Sequence, residues 1–163
     1  MSIRNFVVTS FLTAFAAMSA LAQTSTTTTT RNHVFPPVGL GSGETLQVNL
    51  VNIATASTGG TAPSCTGSVS FAGVSTGTTV GTPKSTPFTV GAGQIVSVPL
   101  TYGASGLTGT HGEILVTLSQ TFTSPSTAPC ALVYSLETFS ASTGETHLYL
   151  TSAAASSGPG FGR

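Results

Sequence analysis

The stretch that decides the fold is residues 45–54, TLQVNLVNIA, in which apolar and polar side chains alternate. Leu46, Val48 and Leu50 fall on one face of an extended chain, and the polar side chains between them fall on the other. A strand of this kind packs one face against a core and leaves the other face in water. The alternation therefore predicts a half-buried β-strand.

Similar segments recur along the chain from residue 33 onward. They are rich in Val, Ile, Thr, Phe and Tyr, they are separated by Gly, Ser, Pro and Thr, and no window shows helical spacing of apolar residues. This pattern predicts an all-β protein, an Ig-like antiparallel β-sandwich of seven to eight strands. The predicted strands are residues 33–38, 45–54, 67–71, 84–90, 94–102, 113–122, 131–139 and 145–151.

The first and last of these segments carry additional signals. Pro36 and Pro37 limit the first segment to an edge, because proline lacks the N–H that a central strand donates. The last two segments are separated by residues 140–144 (SASTG), where Gly144 can adopt a positive φ. We therefore expect them to form a hairpin.

The chain divides into four parts by composition. Residues 1–22 combine Arg4, an apolar run and a small-x-small ending, which predicts a signal peptide cleaved after Ala22; a retained N-terminal anchor is the alternative. The threonine tract of residues 23–32 predicts a disordered spacer. Residues 33–152 form the predicted sandwich domain, and residues 153–163 a flexible Gly/Ser tail. The expected location is secreted, periplasmic or cell-surface, without stable membrane insertion after cleavage.

Charge is scarce throughout the sequence. Only 5% of the 163 residues are charged, against roughly 25% in an ordinary soluble domain. Four Lys and Arg residues cannot form the basic surface that nucleic acids require. Four acidic residues also leave little material for acid–base catalysis. We therefore expect neither enzymatic activity nor a cofactor, and no nucleic-acid partner.

The two cysteines, Cys65 and Cys130, are expected to form a disulfide in an exported chain. The chain-entropy estimate for a loop of this size is roughly 4 kcal/mol of stabilisation. Two free buried thiols are the alternative. A redox role has no support, because neither a CxxC motif nor a neighbouring histidine is present.

The chain resembles a group of small exported bacterial β-sandwich proteins that has no assigned activity. The resemblance rests on four stretches, residues 35–50, 65–71, 91–94 and 135–147. The resemblance covers most of residues 33–150. It implies an exported β-sandwich with a paired-cysteine staple, and it implies no catalytic residue.

Two His/Glu pairs are the candidate metal ligands. His111 and Glu113, and likewise Glu145 and His147, are two positions apart and so share one face of a strand. On neighbouring strands, the four side chains could converge on zinc or copper. Solvated strand ends are the alternative interpretation.

Two further candidate sites are weaker. Residues 73–77 match the G-x-S-x-G pattern around Ser75, but no helix is predicted after them and the chain has no aspartate. Carbohydrate binding would need exposed aromatic rings, and the chain has no tryptophan and only Tyr102, Tyr134 and Tyr149.

The remaining surface is rich in Thr, Ser, Gly, Asn and Gln, which suits self-association by addition of a strand to an exposed sheet edge. A monomeric binding module is the competing hypothesis. The sequence therefore predicts an exported, non-catalytic β-sandwich with a structural or interaction role at the cell surface or in the extracellular space. Its partner would be a second copy or another surface protein. Carbohydrate binding, or metal binding by the His/Glu pairs, is the alternative.

Overall fold

The computed structural model describes residues 26–55, 63–75, 78–124 and 130–152. The predicted signal peptide, residues 1–22, and tail, residues 153–163, lie outside the described residues. Within those ranges the chain forms nine β-strands, one 3₁₀ turn at Tyr102–Ala104 and no α-helix. The strands are β1 (Thr27–Val34), β2 (Val38–Gly41), β3 (Glu44–Asn52), β4 (Cys65–Ser75), β5 (Thr78–Val90), β6 (Ile95–Thr101), β7 (His111–Ser124), β8 (Leu132–Ser140) and β9 (Thr146–Ser152).

Two antiparallel sheets pack against each other, which confirms the predicted all-β class. In the first sheet, β1 and β2 both pair with β7, and β4 and then β5 follow; in the second, the order is β6-β3-β8-β9. The edge strands β5 and β6 are in contact. They therefore lie on one lateral side of the molecule, and β1 and β9 lie on the other.

The core lies between the sheets and follows the predicted alternation. Leu46, Val48 and Leu50 of β3 are fully buried, as are Ile114 and Val116 of β7 in the opposite sheet. Complete burial of such side chains contributes about 1.5–3 kcal/mol each. The alternating positions of these two central strands thus hold the sheets together.

The predicted disulfide is present and connects the two sheets. Cys65 opens β4 in the first sheet, and Cys130 lies just before β8 in the second. Their Cα atoms are 5.3 Å apart, and Cys65 is completely buried. The bridge joins positions 65 residues apart in the chain.

The hairpin predicted at the end of the domain is also present. β8 and β9 pair with each other, and the Ser140 N–H donates to the Glu145 carbonyl across the turn. Gly144 has a φ of +74°. That conformation favours glycine, which explains the residue at this position.

Two predictions in the N-terminal part are wrong. The predicted strand at residues 33–38 is divided, because β1 ends at Val34 and β2 begins at Val38, with the two prolines between them. The predicted spacer, residues 23–32, is not disordered from position 27 on, since all of β1 pairs with β7. Threonine is β-branched and suits a strand, so backbone pairing orders a segment that buries almost nothing. Residues 23–25 lie outside the described part.

Candidate functional site

The two His/Glu pairs singled out in the sequence are not brought together. His111 and Glu113 lie on β7 in the first sheet, whereas His147 lies on the second sheet's edge strand β9 and Glu145 directly precedes that strand. All four are exposed. Across the described ranges, no three His, Cys, Asp or Glu side chains are grouped so that they could hold a metal ion. The spacing placed each pair on one strand face, but the two strands are not neighbours.

His147 instead pairs with Glu44, the first residue of β3. The His147 Nδ1 atom lies 2.5 Å from Glu44 Oε1, and the Gly41 N–H donates to Glu44 Oε2 at 2.6 Å. The Gly41 hydrogen bond, followed by the contact with His147, holds the pKa of the Glu44 carboxyl below its ordinary value. The positive charge of His111 lowers this pKa further. The pair fixes the edge strand β9 to the neighbourhood of β3.

Sequence reasoning missed Glu44. Its partner lies 103 positions away, and no local pattern marks a single glutamate as half of such a pair. The signal that could have found it is the hairpin prediction, which places the start of β9 at one end of the second sheet. The strand next to that hairpin is β3, which contains Glu44. Which strand lies there depends on long-range pairing and was not predicted.

Ser75 of the G-x-S-x-G pattern lines a cavity of about 330 Å³ together with His111, Leu107 and Thr108. It is the last residue of β4, and the chain continues into strand β5 from Thr78. The catalytic form of this pattern places its serine between a strand and a helix. Ser75 thus ends one strand of a sheet whose next strand along the chain begins at Thr78, and residues 76 and 77 of the pattern lie outside the described part.

The three tyrosines do not form a shared exposed platform. Tyr102 is half-buried, and its buried hydroxyl has no hydrogen-bond partner in the part of the chain that the structure describes. Tyr134 packs against Phe35 with ring centroids 5.6 Å apart. Tyr149 on β9 is 60% exposed. A sugar-binding surface would need several such rings side by side, and this arrangement does not supply it.

One lateral side of the sandwich, formed by β5 and β6, carries residues that block strand addition; we call it the guarded side. Pro83, Lys84 and Pro87 are exposed on β5, and Pro99 is exposed on β6. Prolines and lysines on edge strands are recognised protection against pairing with another chain, because they remove donors or add charge.

The register of β6 shows how its proline acts. The Asn52 N–H donates to the Gln94 carbonyl, which sets the alternation of hydrogen-bonded pairs between β3 and β6. By that alternation Ser97 and Pro99 occupy non-hydrogen-bonded positions, so their backbone nitrogens face away from β3. Pro99 therefore removes one outward N–H from the edge without disturbing the ladder within the sheet.

The other lateral side is formed by β1 and β2 of the first sheet and β9 of the second, and we call it the open side. Its two exposed prolines, Pro36 and Pro37, lie between β1 and β2 and not within a paired strand, and Arg31 is the charged residue of β1. Neither β1 nor β9 contains proline or lysine, and within the described ranges no strand lies beyond either of them. The Phe35 N–H donates to the Val116 carbonyl. Continuing the alternation along β1, the N–H groups of Thr30 and Asn32 point away from β7. The open side therefore presents backbone donors and acceptors to a further strand.

Comparison with known protein families, with curated proteins and with solved structures found no match. The resemblance to small exported bacterial proteins therefore stays a prediction. A search of the described residues for a helix long and apolar enough to cross a membrane found none.

Proposed function

We propose that this protein is an exported, non-catalytic β-sandwich with a structural role at the cell surface or outside the cell, and that it associates with further copies of itself through its open side. The observation that carries the proposal is the unequal distribution of protective residues between the two lateral sides. Strand addition to a free edge supplies affinity through backbone hydrogen bonds.

The dimensions and surface of the open side support this role. β1 has eight residues and β9 has seven, which is a normal length for a paired strand. Val34 on β1 and Tyr149 on β9 are exposed by 55% and 60%, respectively. Both can add apolar contact to backbone pairing.

The scarcity of charge favours a second copy as the partner. Only 5% of the residues are charged, so two copies have little like-charge repulsion to overcome. An edge strand can also pair with the same strand of another molecule across a two-fold axis, because antiparallel pairing is self-complementary. A dimer formed in this way leaves the other open edge free for further growth.

Export and the Ig-like class belong to the same proposal. The disulfide between Cys65 and Cys130 supports an oxidising compartment, and a bridge between two packed antiparallel sheets is also found in antibody domains. The strand orders differ from those of the constant-type immunoglobulin domain. The proposal therefore concerns the class of sandwich and not that particular topology.

The test is sedimentation of the secreted protein over a range of concentrations, with one edge blocked at a time. Thr30→Pro removes an outward N–H from β1 on the open side, and Ser97→Pro removes an outward N–H from β6 on the guarded side. Both positions are exposed and lie outside the backbone hydrogen-bonded ladder of their own sheet. Because the Ser97 hydroxyl also donates to Asn49 Oδ1 at 2.6 Å, Ser97→Ala is the control for the loss of that bond.

We expect the parent protein and Ser97→Pro to associate as concentration rises, and Thr30→Pro to associate at least about tenfold more weakly. Far-UV circular dichroism would verify that both variants retain the sandwich. A parent protein that is monomeric at all concentrations would refute the proposal, and so would equal weakening by the two substitutions.

A further inference from the structure

A second cavity lies between the sheets, beside the disulfide and on the open side. Its walls come from β1 and β7 of the first sheet and from β8 of the second, and its volume is about 170 Å³. Pockets for drug-sized ligands have volumes of roughly 300–1,000 Å³. A ligand of this cavity would therefore be small, on the scale of a single ring with one substituent.

The cavity contains two hydrogen-bond donors that lack a strong acceptor. Arg31 lines it, and in the described part of the chain the only ion pair is that of His147 with Glu44. The Gln120 amide Nε2 donates to the Cys130 Sγ atom at 3.0 Å, and sulfur is a weak acceptor. A carboxylate oxygen would be a better partner for both groups.

These two donors are placed to act on one ligand group. Arg31 and Gln120 are directly opposite each other in the pairing of β1 with β7. Side chains at opposite positions project to the same face of a sheet, about 5 Å apart at their Cβ atoms. One carboxylate can therefore reach both the guanidinium and the amide.

Besides the polar side chains of Asn32 and His33, the remaining walls include two aromatic rings and a leucine. Phe122, Leu132 and Tyr134 line the cavity, and the Arg31 guanidinium carbon lies 5.2 Å from the centre of the Phe122 ring. Tyr134 also contacts His33 in a tilted arrangement, with ring centroids 4.8 Å apart and an angle of 52° between the ring planes. Such walls favour a planar apolar body next to the charged group.

We infer that this cavity, defined by Arg31, Gln120, Phe122 and Tyr134, binds a small aromatic carboxylate. The carboxylate pairs with the guanidinium of Arg31 and accepts the amide N–H of Gln120, and the ring lies against Phe122 and Tyr134. Because Arg31 is exposed, it stands at the mouth of the cavity, and binding is weak and sensitive to salt. The argument for this site does not rest on the proposed self-association, although both involve β1; the titration is therefore made at a protein concentration at which sedimentation shows the monomer.

The experiment is titration of the ¹⁵N-labelled secreted protein with benzoate at neutral pH and low salt, followed by backbone amide shifts. Benzamide, which has the same ring without the charge, is the matched ligand control. Arg31→Gln removes the cation, and Gln120→Glu places a carboxylate opposite Arg31 that competes with the ligand. Lys84→Gln removes a cation from the guarded side and serves as the matched protein control.

Saturable shifts are expected at His33, Phe122 and Tyr134 with benzoate, and at least about tenfold weaker binding in Arg31→Gln and in Gln120→Glu. Lys84→Gln should bind benzoate as the parent does. The inference is overturned if benzamide binds equally well, if Arg31→Gln retains the parent affinity, or if benzoate produces no saturable shifts at these residues.

Discussion

The guarded and open sides of the sandwich differ in the residues that their edge strands carry. On the guarded side, β5 and β6 carry three prolines and a lysine. On the open side, β1 and β9 carry neither residue type within their paired lengths, the exposed Pro36 and Pro37 lie between β1 and β2, and β1 leaves the N–H groups of Thr30 and Asn32 facing outward. A sandwich that only needed to avoid aggregation would protect both sides. This difference is the basis of the proposal that copies associate through the open side.

The two sides also differ in how they are fixed to the core. Asn52 is fully buried near the guarded side, and its amide nitrogen donates to the carbonyls of Pro63 and Val90. On the open side, β9 is held to β3 by the partly exposed pair of Glu44 and His147. The polar group that fixes the guarded side, Asn52, is thus buried. The polar pair on the open side is partly exposed to solvent, so its protonation can change with pH.

The largest effect is expected from the disulfide, which lies between the two sides. The double substitution Cys65→Ala/Cys130→Ala should lower the free energy of unfolding by about 4 kcal/mol, because the unfolded chain regains a loop of 65 residues. Urea unfolding measures this value. Reduction of the parent protein with dithiothreitol should give a similar loss, and a loss under about 1 kcal/mol would show that the bridge does not constrain the sandwich.

The next largest effect is expected at Asn52 on the guarded side. Asn52→Ala should cost about 3 kcal/mol, since it removes a buried hydrogen bond to the Val90 carbonyl, a partly buried one to the Pro63 carbonyl, and the acceptor of the Ala54 N–H. Asn32→Ala, at an exposed asparagine of β1, is the control. Hydrogen exchange should accelerate in β5 and β6 more than in β1. Equal acceleration on both sides would contradict the assignment of Asn52 to the guarded side.

A smaller, pH-dependent effect is expected at the pair of Glu44 and His147 on the open side. The folded-state pKa of Glu44 is depressed, so its contribution is present above the ordinary pKa and is lost as the pH falls through the folded-state value. Glu44→Gln should therefore cost roughly 0.5–1 kcal/mol near pH 7 and less near pH 3.

Urea unfolding at the two pH values measures the Glu44 contribution, and Glu145→Gln provides an exposed glutamate as the control. A cost for Glu44→Gln that does not change between the two pH values would show that the carboxylate charge is not what holds β9.

The smallest change in stability is expected from replacing Pro99, one of the prolines of the guarded side. Pro99→Thr restores an outward N–H to β6 and should alter the free energy of unfolding by less than about 0.5 kcal/mol, because the position is exposed. It should, however, strengthen association in sedimentation by opening a second edge. Association identical to that of the parent would show that Pro99 does not protect this edge.

The predictions that were confirmed depend either on a local sequence pattern or on the oxidation of two cysteines, which requires no knowledge of the strand order. The alternation around Leu46, Val48 and Leu50 predicted β3 correctly. The presence of two cysteines in a chain expected to be exported predicted the disulfide between them. The turn residues around Gly144 predicted the last hairpin. Each of these signals lies within a few residues of the feature that it specifies.

The features that were missed depend on long-range pairing. The threonine tract has no apolar periodicity, and its order as β1 comes from the pairing of Thr27–Val34 with a strand almost 90 positions later. The His/Glu spacing placed side chains on strand faces, but it could not show that β7 and β9 belong to different sheets. The partnership of Glu44 with His147 has the same origin.

The most direct test of the account is hydrogen exchange of the outward-facing amides at increasing concentrations of the secreted protein. The account predicts that the N–H groups of Thr30 and Asn32 on β1 become protected as the protein associates, whereas the N–H of Ser97 on β6 continues to exchange at its low-concentration rate. Protection of Ser97 together with them, or rates at Thr30 and Asn32 that do not change with concentration, would contradict the claim that copies associate through the open side.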